Sequence, residues 1–277
     1  MQILYPDTEK SKLDEIDKLL KSWKETVSDA RVKWRDNGKY YSGSDWFSED
    51  GFFPYYFSQN YRILFVGRED RNCWNTVNNW MEIFHTQFVE DKGFFKPLMK
   101  ILYSIENGFH EDYEKIPSTD EIVKTIGKPD GLSFSIMELS KYGNENYDSQ
   151  KVDKALIEQF FEDSKLDKRN FYEEELKILD PHLIITMNLR AISNKINNYI
   201  DKYFFGRFNF TPIKPFGDTY LHSVIINGKK IPLIDTYHFS AIMSTKEVFY
   251  NPIIETLNSD TFNEIFSDFN KGKHNVA

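Results

Sequence analysis

Cysteine is nearly missing from this chain: Cys73 is the only one in 277 residues. A lone thiol excludes an intrachain disulfide and any zinc site built on paired cysteines. It suits a reducing compartment, so a cytoplasmic location is expected. Long apolar runs are missing too. No stretch approaches the ~20 consecutive apolar residues of a membrane span, so no membrane partner is expected. The opening MQILYPDTEK lacks a basic segment followed by an apolar one, and no export signal is read there. Positive charge is in deficit, with 35 Lys and Arg against 43 Asp and Glu. A protein that coats nucleic acid non-specifically would be basic; this one is not built for that, although a single local basic groove remains compatible with the balance. The motifs GxGxxG, Walker A and GxSxG do not occur. The six histidines are scattered without HxH or HExxH spacing, so no metal site and no cofactor are expected. A Mg²⁺ site made of carboxylates alone stays open, and with it a nuclease reading.

What the chain has is aromatic bulk: 24 Phe, 16 Tyr and 5 Trp, enough to expect a core rich in stacked rings. Leu13, Ile16, Leu19, Leu20, Trp23 and Val27 recur at helical spacing, predicting a helix over 9–35. Residues 36–60 read as irregular. Short apolar runs at 62–67, 132–139 and 183–187 read as strands buried on both faces, the first entering a tight turn at Gly67. Helical patterns fall at 74–90, 94–106, 119–126, 151–163, 170–179, 189–204 and 245–257, the third capped by Ser118 or Thr119 with help from Glu121. Asn227-Gly228 between 220–226 and 229–235 predicts a hairpin, and the polar C-terminus is expected to fray. Strands alternating with helices predict an α/β fold, a three-layer α/β/α sandwich around a central, mostly parallel four-stranded sheet. No linker composition interrupts it, so one domain over 1–277 is expected, with an N-terminal helical and aromatic extension to about residue 60.

Ligands of open α/β sheets gather beyond the carboxyl ends of the strands. The ends here are Gly67-Arg68-Glu69-Asp70-Arg71-Asn72, Glu138-Leu139-Ser140-Lys141, Met187-Asn188 and Asp235-Thr236-Tyr237-His238-Phe239-Ser240. Each polar group also has a structural reading. Glu69 and Asp70 would serve as turn residues paired with Arg68 or Arg71. Glu138, at the end of an apolar run, would need a partner such as Lys141 or Arg68, or would be held protonated as a donor. His238 would be a satisfied core histidine.

The order of these strand ends resembles the uracil-DNA glycosylase superfamily. There a first core strand ends in Gly followed closely by a catalytic Asp, Asn or Glu; Gly67 and Glu69 fill those places, with Asp70 where a Pro is usual. The next strand ends in a base-reading Asn shortly before a Lys, matched by Glu138 and Lys141. The last ends in a His-Pro-Ser-like motif, matched by His238-Phe239-Ser240. The resemblance spans residues 61–257. It implies a DNA glycosylase that hydrolyses the N-glycosidic bond of a flipped base without a cofactor. Glu69, with Asp70 beside it, would orient water and stabilise the oxocarbenium-like sugar. His238 would donate a hydrogen bond to the departing base. Glu138, Trp74, Phe94 and Asn188 would hold that base, and Gly67, Arg68, Arg71, Lys141 and Ser240 would contact DNA phosphates. Ionised Glu138 offers acceptors only, so a damaged or modified base carrying an exocyclic amine is expected rather than uracil. The substitutions at Asp70, Glu138 and Phe239 equally suit a binding module with this fold and no catalysis, and the acidic surface with the first helix would suit a protein-interaction role.

Overall fold

A computed structural model describes residues 3–33, 38–70, 75–109, 112–143, 154–164, 169–187, 210–216, 219–240 and 245–271. Four parallel strands form the centre: β4 (Ile63–Glu69), β5 (Ser135–Ser140), β6 (Leu183–Met187) and β9 (Lys229–Thr236), in the spatial order β5-β4-β6-β9. The expected mixed α/β architecture is therefore present, but the sheet has seven strands rather than four. β3 (Gly51–Phe52) adds antiparallel to β5 at one edge, while β8 (Thr219–Ile226) and β7 (Phe210–Phe216) extend the other edge through antiparallel hairpins. At the β8–β9 turn Asn227 and Gly228 both take positive φ, 51° and 74°, as the two central residues of a mirror-type hairpin turn must.

Side chains alternate across each strand, and the apolar ones sort into two cores. Ile63, Phe65, Ile136 and Ile185 pack against α2 (Thr76–Thr86), α3 (Phe95–Glu106), α4 (Thr119–Val123), α7 (Tyr250–Asn258) and α8 (Asp260–Ile265). Leu64, Val66, Met137 and Ile184 face α1 (Lys10–Thr26), α5 (Lys154–Asp163) and α6 (Phe171–Leu179). Trp23 of α1 anchors the second core: it stacks on Phe171 at 4.9 Å and meets Tyr172 edge-on at 4.7 Å. Its Nε1–H donates to Ser164 Oγ at 2.8 Å, so the indole is buried without an orphaned donor. At α4, Ser118 and Glu121 form the expected reciprocal capping box.

The first helix is shorter than its periodicity predicts. It ends at Thr26, and β1 (Arg31–Lys33) then pairs with β2 (Tyr40–Ser42) in a separate two-stranded sheet. Beyond the expected closing helix, residues 260–271 form further short helices from which Phe262, Phe266 and Phe269 pack around Tyr61 and Phe109, and the last six residues lie outside the described ones. The helix read at 189–204 lies outside the described residues.

Glu106, at the end of α3, is 8% exposed and accepts the Tyr61 backbone N–H at 3.2 Å. Burial pushes its carboxyl from 4.5 up to about 8, against the pull of the hydrogen bonds from Tyr61 and Asn60. The folded state thus holds a proton that the unfolded chain releases. The associated stability is complete below the ordinary carboxyl range and is lost as pH rises through about 8. The unfolding free energy from urea titration is expected to fall between pH 5 and 8, by up to about 1.4 kcal/mol per pH unit from this group, the midpoint falling with it, and Glu106→Gln should flatten that fall. A midpoint that rises over this interval would contradict the assignment.

Candidate active site at the strand ends

β4 does not stop at Gly67 but runs to Glu69, so Gly67 is an internal ladder residue opposite Glu138 rather than a phosphate-gripping turn. Its missing side chain has a specific use. A Cβ on Gly67 would stand 2.2 Å from Glu138 Oε2 and 2.7 Å from the carboxyl carbon, so the Glu138 carboxyl occupies the space a side chain would fill. Gly67→Ala is expected to cost about 1–3 kcal/mol through overpacking. Combined with Glu138→Ala the two changes should couple by more than about 0.5 kcal/mol, measured by denaturant unfolding of the two single variants and the double. Additive losses would show that the two positions do not share this space.

Glu138 is buried, and its Oε2 has no hydrogen-bond partner among the described residues. Its carboxyl is driven well above the ordinary range by burial first, then by the negative charges of Asp70, Asp50 and Glu69, with Lys141 opposing. Burial and these neighbours thus favour the neutral carboxylic acid over the carboxylate, a form with one O–H donor and acceptor capacity besides. Of the two states expected from sequence, the surroundings favour the protonated one. In that form the group both donates and accepts, the same pair of functions as a carboxamide.

Lys141, expected on a phosphate, is fully buried. It does not serve Glu138 as its ion-pair partner either. Its ammonium bridges Asp50 Oδ2 and Glu175 Oε2, the latter at 3.1 Å, and lies 5.2 Å above the Trp23 ring. Asp50 Oδ2 also accepts the Glu138 backbone N–H at 2.6 Å. Burial works against the ammonium, but Asp50 and Glu175 outweigh it and hold Lys141 protonated. Glu175 is pushed well up by burial and by Asp50. Asp50 and Glu175, which tie β3 and α6 to the end of β5, were not singled out from sequence. The signal available was a lysine immediately after a wholly buried strand, which requires carboxylates from elsewhere in the chain.

Asp70 likewise has a structural employment. It is 7% exposed, and its Oδ2 accepts from Ser48 Oγ at 2.8 Å and Thr76 Oγ1 at 2.6 Å, tying the exit of β4 to the start of α2. Alternation turns Arg68 away from Glu69, toward the face of Leu64 and Val66. Its Nε is buried without a partner among the described residues.

Glu69 is half-buried at the last position of β4, on the face shared by Phe65, Gly67, Ile136 and Glu138. His238 lies two residues beyond the end of β9 and is half-buried. Its ring stands 5.9 Å from Phe94, which packs with the core of that same face through Trp80, Phe95 and Phe239. The Ser240 backbone N–H donates to His238 Nδ1 at 3.2 Å. In a neutral ring, accepting that bond at Nδ1 goes with a proton on Nε2. The bond also occupies the Ser240 N–H that would otherwise meet a phosphate, leaving the exposed Ser240 side chain for such a contact. Phe239, in the place of a proline, is core, meeting Phe65 at 6.0 Å and Phe249 at 5.7 Å. Glu69 and Glu138 thus share one face at the carboxyl ends of β4 and β5, while His238 and Phe94 meet beyond the end of β9 against the core of that face, with β6 between β9 and β4. Arg71, Trp74 and Asn188 lie outside the described residues.

Among the described residues no group of three or more His, Cys, Asp or Glu side chains is placed to hold a metal ion, and no helix is long and apolar enough to cross a membrane. Compared with models of known protein families, with curated proteins and with solved structures, the chain matches none.

Proposed function

We propose that this protein is a DNA glycosylase that hydrolyses the N-glycosidic bond of a flipped damaged or modified base. One observation carries the reading. Glu69 at the end of β4 and Glu138 on β5 lie on one face of the sheet, and His238, two residues past β9, stands against Phe94 of the core on that face, at the carboxyl ends of parallel strands where α/β folds bind ligands. The flipped base enters between Phe94 and the strand ends. The bond from C1′ to the base nitrogen breaks, and its electron pair leaves with the base. His238 Nε2–H donates to that departing anion. Glu69 stabilises the cationic sugar and takes the proton of the water that adds to C1′. Neutral Glu138 reads the base edge with one donor and one acceptor, which admits uracil-like as well as amine-bearing bases. Arg71 and Ser240 remain the phosphate contacts of this reading; Gly67, Arg68 and Lys141 are withdrawn from it, and Asp70 acts by holding the β4 exit in place.

The test is incubation of the purified protein with oligonucleotides carrying uracil or modified bases, in parallel with Mg²⁺ and with EDTA. Abasic sites that break only on alkali treatment support glycosidic hydrolysis. Direct strand scission that EDTA abolishes would replace it with the carboxylate–Mg²⁺ nuclease reading. A second reading, a binding module with this fold and no catalysis, is favoured by one observation: Glu138 and Lys141, two of the expected contact residues, are both buried. It requires nucleic-acid binding with no base release from any substrate.

A further inference from the structure

Glu138 stands among carboxylates whose own donors are already assigned. Asp70, just past β4, accepts from Ser48 Oγ and Thr76 Oγ1. Asp50, just before β3, accepts from the Lys141 ammonium and from the Glu138 backbone N–H. Glu69 adds a further negative charge from the end of β4, on the same face as Glu138. Lys141 acts against these charges, but its ammonium is shared between Asp50 and Glu175 of α6.

In this setting the Glu138 carboxyl is placed by shape, over the bare backbone of Gly67, where an added Cβ would stand 2.2 Å from Oε2. The residue is 7% exposed, and Oε2 is buried with no hydrogen-bond partner among the described residues. As a carboxylate it would be a buried charge with no cation of its own, which is costly. As an acid it carries one O–H, and a proton on Oε2 meets no acceptor among the described residues. A donor left open at the carboxyl end of a parallel strand asks a ligand for an acceptor.

We propose that Glu138 is the specificity-determining residue of the strand-end site. Its carboxyl selects bases whose edge sets an acceptor, a ring nitrogen or a carbonyl, beside an N–H, and discriminates against edges that offer donors alone. This rests on the glycosylase reading in placing a flipped base against Glu138. The O–H meets the acceptor, and the carbonyl oxygen of the acid meets the N–H. An ionised carboxylate would repel the acceptor and take donors only, so the two states of one residue give opposite orders of affinity. A base without the acceptor leaves the buried O–H unpaired, and a site built for a hydrogen bond rejects such a ligand strongly.

The test uses two probes, cytosine and 4-amino-2-pyridone. They share one outline and one exocyclic amine, and the pyridone has C–H in place of the ring nitrogen beside that amine. Both are titrated near neutral pH into the full-length wild type, Glu138→Gln and Glu138→Met, followed by protein-observed NMR. Cytosine should saturate one site at roughly millimolar concentration and bind at least about fivefold tighter than the pyridone. Glu138→Gln, whose carboxamide also donates and accepts, should keep that preference. Glu138→Met, similar in size and apolar, should reduce it below about twofold. The urea midpoint of each variant checks that the fold is retained. Equal or tighter binding of the pyridone by the wild type, a preference unchanged in Glu138→Met, or no saturation by either base would overturn the proposal. Base release is measured separately. A preference that depends on Glu138, in a protein that frees no base from DNA, would uphold the specificity assignment and remove the catalytic reading.

Discussion

Lys141→Met is expected to lower the unfolding free energy by about 3–5 kcal/mol, the range for removing one member of a buried ion group, and to lower Tm by on the order of 10 °C. The size follows from what is left behind. Lys141 is completely buried, and among the described residues its ammonium is the one cation between Asp50 and Glu175, whose side chains are 1% and 0% exposed. Without it, the Asp50 carboxylate keeps only the Glu138 N–H as a donor on Oδ2, and its Oδ1 remains unmatched. The Trp23 ring below also loses its cation, although an apolar side chain can repack there. The distinguishing feature is recovery: changing Asp50→Asn and Glu175→Gln together with Lys141→Met should restore more than half of the loss, because a neutral hydrogen-bonding group needs no counter-ion. A loss under about 1 kcal/mol for the single variant would show that the buried ammonium is solvated in a way the geometry does not provide. Urea unfolding of the three chains measures this directly.

Glu69→Gln is expected to slow base release by roughly 10²–10⁴-fold, the usual contribution of a positioned acid–base group, while moving the unfolding midpoint little. The carboxylate is asked both to carry negative charge toward a cationic sugar and to accept a proton from water; an amide keeps the shape and does neither. Because Glu69 is half-buried at a strand end rather than in the core, the substitution leaves the packing intact. Its negative charge is also one of the groups that push Glu138 upward, so the variant should bring Glu138 closer to the ordinary carboxyl range. The pH dependence of any residual activity would then shift toward lower pH. A variant with unchanged rate would remove Glu69 from the chemistry.

The central strands were readable because each is a short apolar run whose two faces both find helices, and the Asn227-Gly228 turn was readable because its backbone signs demand those residues. The sheet edges were not. β3 is two residues long, and β7 carries Pro212 and Pro215, which suit an edge strand but blur its pattern. The boundary of α1 was misjudged because Val27 continues the helical spacing although the chain turns after Thr26. Phe262, Phe266 and Phe269 did carry helical spacing, and the polar residues between them obscured it. At the site, Glu69, Glu138 and His238 could be singled out from their positions after apolar runs. The state of Glu138 could not, because it depends on Asp50 and Asp70 nearby in space and on the bare backbone of Gly67. The partners of Lys141 were invisible for the same reason: ion pairs 91 and 34 residues apart leave no local trace.

Single-turnover rates of base release for the wild type, Glu69→Gln, His238→Ala and the double variant address the convergence of these groups most directly. If the carboxylate and the imidazole act on the two sides of one bond, each single change should cost at least about a hundredfold, and the double should be little slower than the slower single, because groups that work as a unit are not additive. A wild type that frees no base from any substrate, or losses that simply multiply, would contradict a shared site at the strand ends.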